Sequence, residues 1–395
     1  MFFFLFFAGL YWSMRIICFV LALGIVGVQD DPRDLYKRGL RFYNGGQYEE
    51  ALELLKRASA LRPNVPDYRF SLGLTYLKLG QAKKAAYELE AVRGMIGLRR
   101  STRVKEPQVL VHLATAFIQL GKLSGARSRL ELVLEREPDN VAALYALGLV
   151  EQEEGNAELA LERFQTVLEH EPDHPSANLA VAKWFQEQGR GPDAFERLRH
   201  AAHGAPGSVQ VQLALGAAAY EQGFPEEAEA AFRQVLALEP QNAEAQFGLG
   251  TLMLAKKEYD AAITTLGPLT LGETPHDRAA FNLAQAYMAK DRKEEALDVL
   301  ASLATRSPEH PKVQFTLALV SEVLGDASKA EEAYRREIQA RPDFVPAYLN
   351  LAALLEKEGR SEEAVEQLRL ALAQSSEASQ AEKIRAAMAA MEESD

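Results

Sequence analysis

Seven histidines are the side chains here best suited to acid–base or metal chemistry: His112, His170, His174, His200, His203, His276 and His310. His200 and His203 stand three apart, a spacing that shares one face of a helix, and His170 and His174 precede them. A zinc centre needs three or four such ligands, usually completed by a carboxylate or thiolate. No HExxH-like pair or partner acid accompanies these, so they read as turn and surface histidines near prolines, and no metal is expected. The only cysteine, Cys18, sits in an apolar stretch, which excludes a disulfide framework, a cysteine zinc site or a cysteine nucleophile elsewhere. There is no GxxxxGK[ST], no strand-led GxGxxG and no GxSxG. Carboxylate pairs such as Glu226–Glu227 and Glu294–Glu295 begin helical runs, where attraction to the helix dipole accounts for them. No catalytic residue and no cofactor is therefore expected.

One charge cluster is basic: Arg93, Arg99, Arg100, Arg103 and Lys105. It stands out in a chain of formal net charge -12. Two readings are open, a solvated linker or a docking patch of Arg99, Arg100, Arg103 and Lys105 for an acidic partner or anionic headgroups. The overall acidity argues against nucleic acid, which needs a basic surface to neutralise phosphates.

The elements that would position such residues are set by a repeat. Alanines recur every 34 residues at Ala51 and Ala85, then at Ala126, Ala160, Ala194, Ala228, Ala262, Ala296, Ala330 and Ala364. Twelve residues before each is Gly or Ala, from Gly39 to Ala352, and five before is usually Gly, with Lys257 and Asp291 as exceptions. Twelve residues after is usually Pro, with Gly97 in repeat two and Thr274 in repeat seven as departures. The spacing predicts two antiparallel helices per repeat. The first small residue and the alanine are expected to face each other at the close approach. The Gly would end the first helix by taking the left-handed conformation, and the Pro would end the second. No stretch alternates as a strand does.

This pattern resembles the tetratricopeptide repeat family in its period, its small-residue pair, its tyrosines at Tyr48 and Tyr259, and its proline. The resemblance covers residues 32–378. It implies an all-α, right-handed superhelical solenoid of about ten helix-turn-helix repeats, 32–65, 66–99, 107–140, 141–174, 175–208, 209–242, 243–276, 277–310, 311–344 and 345–378, with an insertion at 100–106. Residues 379–395 read as an amphipathic capping helix whose apolar side is Ile384, Ala387, Met388 and Met391. Glu337 departs from the Ala, Val or Leu of the other repeats.

The resemblance also implies that first helices line a concave groove for a peptide or protein. Carried onto this sequence, its contact candidates are Tyr43, Tyr145, Lys183, Tyr220, Phe247, Arg278, Phe281, Gln285, Lys312 and Phe315. The aromatic series to which Phe247 belongs also suits inter-repeat core. The clamp with which chaperone-tail receptors of this family hold a terminal carboxylate is rejected. Asn282 and Lys312 match two of its places, but Phe247, Thr251 and Thr316 stand where Lys, Asn and Arg are needed.

Residues 1–28 carry one charged side chain, Arg15, before charge returns in "QDDPRD". If translation starts at Met14, the run has signal-peptide proportions. If it starts at Met1, it is long enough to anchor in a bilayer. Segment 1–29 is thus a signal peptide or a membrane anchor. Either way the rest of the chain is expected outside the cytoplasm, as a non-enzymatic scaffold or as a membrane-anchored assembly factor for an envelope, secretion or polysaccharide-export complex.

Overall fold

Helix ends, more than helix interiors, show why this sequence folds as it does. The computed structural model describes residues 31–96, 102–271, 275–310 and 312–392. Segment 1–29, Gly97, Arg99, Arg100 and Thr274 lie outside the described residues. Two units are distinguished, one up to Gln188 and one from Gly189. The first holds α1 (Pro32–Asn44), α2 (Tyr48–Leu61), α3 (Pro66–Lys78), α4 (Ala82–Ile96), α5 (Glu106–Gln119), α6 (Leu123–Leu134), α7 (Val141–Glu153), α8 (Ala157–His170) and α9 (Pro175–Glu187). The second holds α10 (Gly191–Gly204), α11 (Val209–Glu221), α12 (Pro225–Leu238), α13 (Ala243–Ala255), α14 (Tyr259–Leu266) and α15 (Asp277–Ala289). It continues through α16 (Lys293–Arg306), α17 (Val313–Val323), α18 (Ala327–Ala340), α19 (Val345–Lys357), α20 (Ser361–Gln374) and α21 (Ala378–Glu392). The described residues contain no strand.

First helices end in a left-handed residue. Gly155 has φ 83°, and Lys257 and Asp291, which replace glycine, hold the same conformation at 62° and 59°. The amide one position on reaches back five residues, Asn156 to the Glu151 carbonyl (2.9 Å) and Glu258 to that of Met253 (2.8 Å). That bond satisfies a carbonyl the helix would leave orphaned. Second helices end differently. The residue before proline turns extended, as at Glu171 (φ -131°) and Ala205 (φ -140°), because the proline ring disfavours helical backbone there. The proline carbonyl is then clamped from six residues on. Arg69 Nε donates to Pro63 (2.8 Å), Asn178 Nδ2 to Pro172 (2.7 Å), Gln246 Nε2 to Pro240 (3.0 Å) and the Tyr348 hydroxyl to Pro342 (3.0 Å). Four different side-chain chemistries make this bond, which hides the device from any motif, and Gln212 repeats one of them on Pro206 (3.1 Å).

The close approach corrects one expectation. The recurring alanines are all buried, yet the small residue of the first helix faces the large side chain one turn beyond the alanine. A Cβ on Gly148 would lie 2.6 Å from Phe164, on Gly216 2.7 Å from Phe232, and on Gly250 2.5 Å from Leu266. The glycines are small because these rings and leucines already fill the space.

Departures in sequence appear as local repairs. In repeat seven α14 runs into a 3-10 turn, Gly267–Thr270, whose Leu269 carbonyl accepts from His276 N–H (2.8 Å). Ahead of α5, Val104 is buried with Val109 and Leu113, and Thr102 donates to Asp67 (3.3 Å). That part of the insertion is pinned to the fold. Repeat nine starts at Lys312, left-handed (φ 67°) and without a side-chain cap. Buried Glu337 supplies the acceptor instead, taking the Phe315 N–H (3.2 Å) and the Arg341 guanidinium. In α21, Ile384 is buried, and Ala387, Met388 and Met391 pack against the same core.

Candidate partner-binding surface

First helices touch their counterparts in neighbouring repeats: α1 meets α3, α3 meets α5 and α5 meets α7 in the first unit, and α11 meets α13 and α13 meets α15 in the second. Their outward side chains therefore form a continuous face over α1, α3, α5 and α7 in the first unit and over α11, α13 and α15 in the second. In the second unit that face opens into a cavity of about 540 Å³. Its floor is Phe247, 8% exposed, with the edge of Phe232. Phe232 comes from the second helix α12 and reaches the surface because Gly248 has no side chain; a Cβ there would lie 2.4 Å from the ring. Tyr220, 42% exposed, stands at one side. Thr251, which accepts from Asn282 Nδ2 (3.0 Å), lines another.

Arg278 closes the cavity, its guanidinium 4.4 Å from the centre of the Phe247 ring. No carboxylate pairs with it among the described residues, although most arginines of this unit are paired, as Arg306 is with Asp277 (2.8 Å) and Arg360 with Glu331 (2.6 Å). It is also the second residue of α15, at the positive end of the helix dipole, where a cation is disfavoured. Glu221 and Glu244 line the same cavity.

The other candidates are placed as follows. Phe281 is half-buried against His310 (5.5 Å), and Gln285 is exposed. Phe315 is half-buried between Tyr334 (5.9 Å) and Phe344 (5.1 Å), with exposed Lys312 at the start of its helix. None of these four lines the cavity. In the first unit, Tyr43 packs edge-on to Tyr48 (5.5 Å), and burial pushes its hydroxyl pKa up. Tyr145 lies against Phe164 (5.5 Å) and His174 (5.2 Å), its hydroxyl likewise raised by burial. Exposed Lys183, near Glu187 (3.8 Å), lines a smaller cavity of about 190 Å³ with Trp184 and Phe164. Of the basic patch, Arg103 and Lys105 are exposed on either side of buried Val104. Arg93 is held by Glu90 (3.0 Å), which also takes Arg129 (2.9 Å).

Histidines prove to be structural partners of this face. His174 Nδ1 accepts from Ala177 N–H (3.1 Å) and His276 Nδ1 from Ala279 N–H (3.0 Å), each capping a first helix. His276 also stacks on Phe247 (4.7 Å between ring centres). Burial, with Lys78 nearby, lowers the pKa of His112. No group of three potential metal ligands occurs among the described residues. Phe232, Gly248, Trp184 and the histidine caps were not singled out by the sequence. The signal available for Gly248 was a glycine where neighbouring repeats carry Ala214 and Asn282.

Comparison with known proteins agrees with this architecture. Family models described as tetratricopeptide repeat match residues 112–158, 145–209, 213–277 and 315–379, and another so described matches 278–310. A model described as TPR repeat matches 39–80. No curated protein matches. Similar solved structures include a crystal structure of MamA, 28% identical, covering 40% of this chain and 94% of that one with a TM-score of 0.39. Pseudomonas aeruginosa pilF is 21% identical, covering 54% and 97% at 0.45. YrrB, described as a TPR protein with an unusual peptide-binding site, is 17% identical, covering 47% and 96% at 0.44. With models of one repeat type matching more than half its length, the chain belongs to the tetratricopeptide repeat family.

Proposed function

We propose that this protein is a non-catalytic scaffold that captures a peptide or protein segment on its first-helix face, with the Tyr220–Phe247–Arg278 cavity as the anchoring point. Repeats of this family are typically interaction modules. The observation that carries the assignment is Arg278. It lies on an aromatic ring without a carboxylate partner among the described residues, at a helix end that disfavours it. A cation held at the positive end of a helix, beside an apolar floor and a phenol, is the composition of a binding anchor.

The test is capture from native extract by the full chain, read by mass spectrometry, followed by affinity for the retained segment. Arg278→Glu with Tyr220→Ala is expected to weaken that affinity roughly thirty-fold, about 2 kcal/mol, as truncation of a central anchor does. Unchanged affinity would move the site elsewhere, and exposed Arg103 and Lys105 become the surface to test.

We read the chain as acting outside the cytoplasm, on the strength of residues 1–28 and their single charge. Retention of that segment would make the protein a membrane-anchored assembly factor. Intact mass separates the two: a mature chain beginning near residue 28 removes the anchored version. Among the described residues no helix is long and apolar enough to cross a membrane.

A further inference from the structure

An aromatic pair recurs at a spacing of 29 residues: Tyr145 with His174, Phe247 with His276, Phe281 with His310 and Phe315 with Phe344. In each, a side chain of one first helix meets a residue at the start of the next or, for His310, two residues ahead of its N-cap Lys312. Two of the histidines also make a bond that depends on protonation. His174 and His276 cap α9 and α15 through Nδ1, which must carry a lone pair to accept from Ala177 and Ala279 N–H. In sister repeats the same post is held by Asn140 and Asn242, whose Oδ1 accepts from Ala143 and Ala245 N–H at 3.0 Å each. Asparagine does not titrate, whereas imidazole ordinarily does near pH 6.5.

We infer that His174 and His276 are acid-releasable caps that couple pH to the shape of the first-helix face. Protonation turns Nδ1 from acceptor into donor, and the cap bond is lost. The new charge then stands at a helix N-terminus, where the dipole repels it. Around His276 the facing charges are Glu244 on α13, 3.7 Å from Nε2, and Arg278 on its own helix. Asp277 is engaged by Arg306 and Ser307. Around His174, Tyr145 faces the ring from α7, with Glu171, Asp173 and His170 at the end of α8; His170 itself faces Asp139 (3.8 Å). The ring that moves with the His276 cap lies on Phe247, the floor of the cavity. The cap release stands on geometry alone; its effect on binding rests on the function proposed above.

Sister repeats supply the decisive variant. His174→Asn/His276→Asn keeps a cap while removing the proton site. Hydrogen exchange by mass spectrometry on the full chain, corrected for intrinsic rates, reads peptides spanning residues 175–179 and 277–281. Between pH 7.5 and 5.5 the wild type is expected to lose protection there five- to tenfold, the loss associated with an absent N-cap. The asparagine variant should hold constant. A capless control, His276→Ala, should exchange fast at both pH values around residue 279. Equal pH dependence in wild type and asparagine variant overturns the inference, as does constant protection in the wild type. Buried His112 adds its own acid sensitivity to global stability in both proteins, so it cancels in the comparison. Affinity for a captured segment is measured separately. If exchange responds to pH and affinity does not, the caps are real and the cavity assignment fails instead.

Discussion

Glycine or alanine stands in register with the large side chain of each second helix. Where the second helix carries phenylalanine, at Phe164 and Phe232, the first helix carries Gly148 and Gly216 opposite. Where the first helix carries alanine in that place, the second helix carries Leu130 in register with Ala114, Leu300 with Ala284 and Tyr334 with Ala318, all of them buried. Phenylalanine is thus accompanied by the smallest residue. Gly216→Ala is expected to cost about 1–3 kcal/mol, the usual range for overpacking a core contact, because its Cβ would sit 2.7 Å from the ring. Adding Phe232→Leu should recover much of that loss. Urea midpoints of the two variants check both statements, and a double variant no more stable than Gly216→Ala would refute the pairing. The same exchange removes the aromatic edge beneath Gly248. The combined variant should therefore also bind a captured segment more weakly while remaining folded.

At the scale of the helix, termination is a conformation first and a residue type second. Eight terminators are glycine, while Lys257 and Asp291 adopt the same left-handed backbone and the same backward hydrogen bond. An ordinary side chain there costs roughly 1–2 kcal/mol, less for aspartate, whose short polar side chain tolerates the region. Glycine avoids that strain but loses more entropy on folding, about 0.5–1 kcal/mol. The difference favours glycine, so Lys257→Gly should stabilise by about 1 kcal/mol and Asp291→Gly by less, read as denaturant midpoints. A destabilised Lys257→Gly would mean that the lysine side chain earns a contact outweighing its strain. Helix starts follow the same logic. Asn140, His174, Ser208, Asn242 and His276 each cap through a side chain, and repeat nine, lacking one, draws its acceptor from buried Glu337 on α18. This explains why Glu337 stands where the other repeats carry Ala, Val or Leu.

Across the whole molecule, what the sequence makes legible is whatever recurs at a fixed step. Helix pairs, left-handed terminators and prolines each occupy a fixed place in the 34-residue period, and the helices run between them. Of the cavity, the sequence made legible the residues carried by groove-facing positions, Tyr220, Phe247 and Arg278 among them. Phe232 and Gly248 join them through contact between one second helix and the first helix of the next repeat, which no position within a single repeat encodes. Stacking of this kind also means that a repeat without a neighbour leaves its apolar side uncovered. At the C-terminal end that neighbour is α21, whose Ile384 is 2% exposed in the core formed with Leu351, Leu355 and Leu368. Ending the chain after Gln374 removes Ile384 together with Met388 and Met391. Burial of one such side chain is worth about 1.5–3 kcal/mol, so repeat ten should open at lower urea and gain protease cleavage within residues 345–374. Because each repeat depends chiefly on its neighbours, exchange protection in α11, α13 and α15 should stay as in the full chain. An unchanged urea transition and digestion pattern would show that α19 and α20 stand without their cover; loss of protection as far as α13 would show cooperativity longer than one repeat.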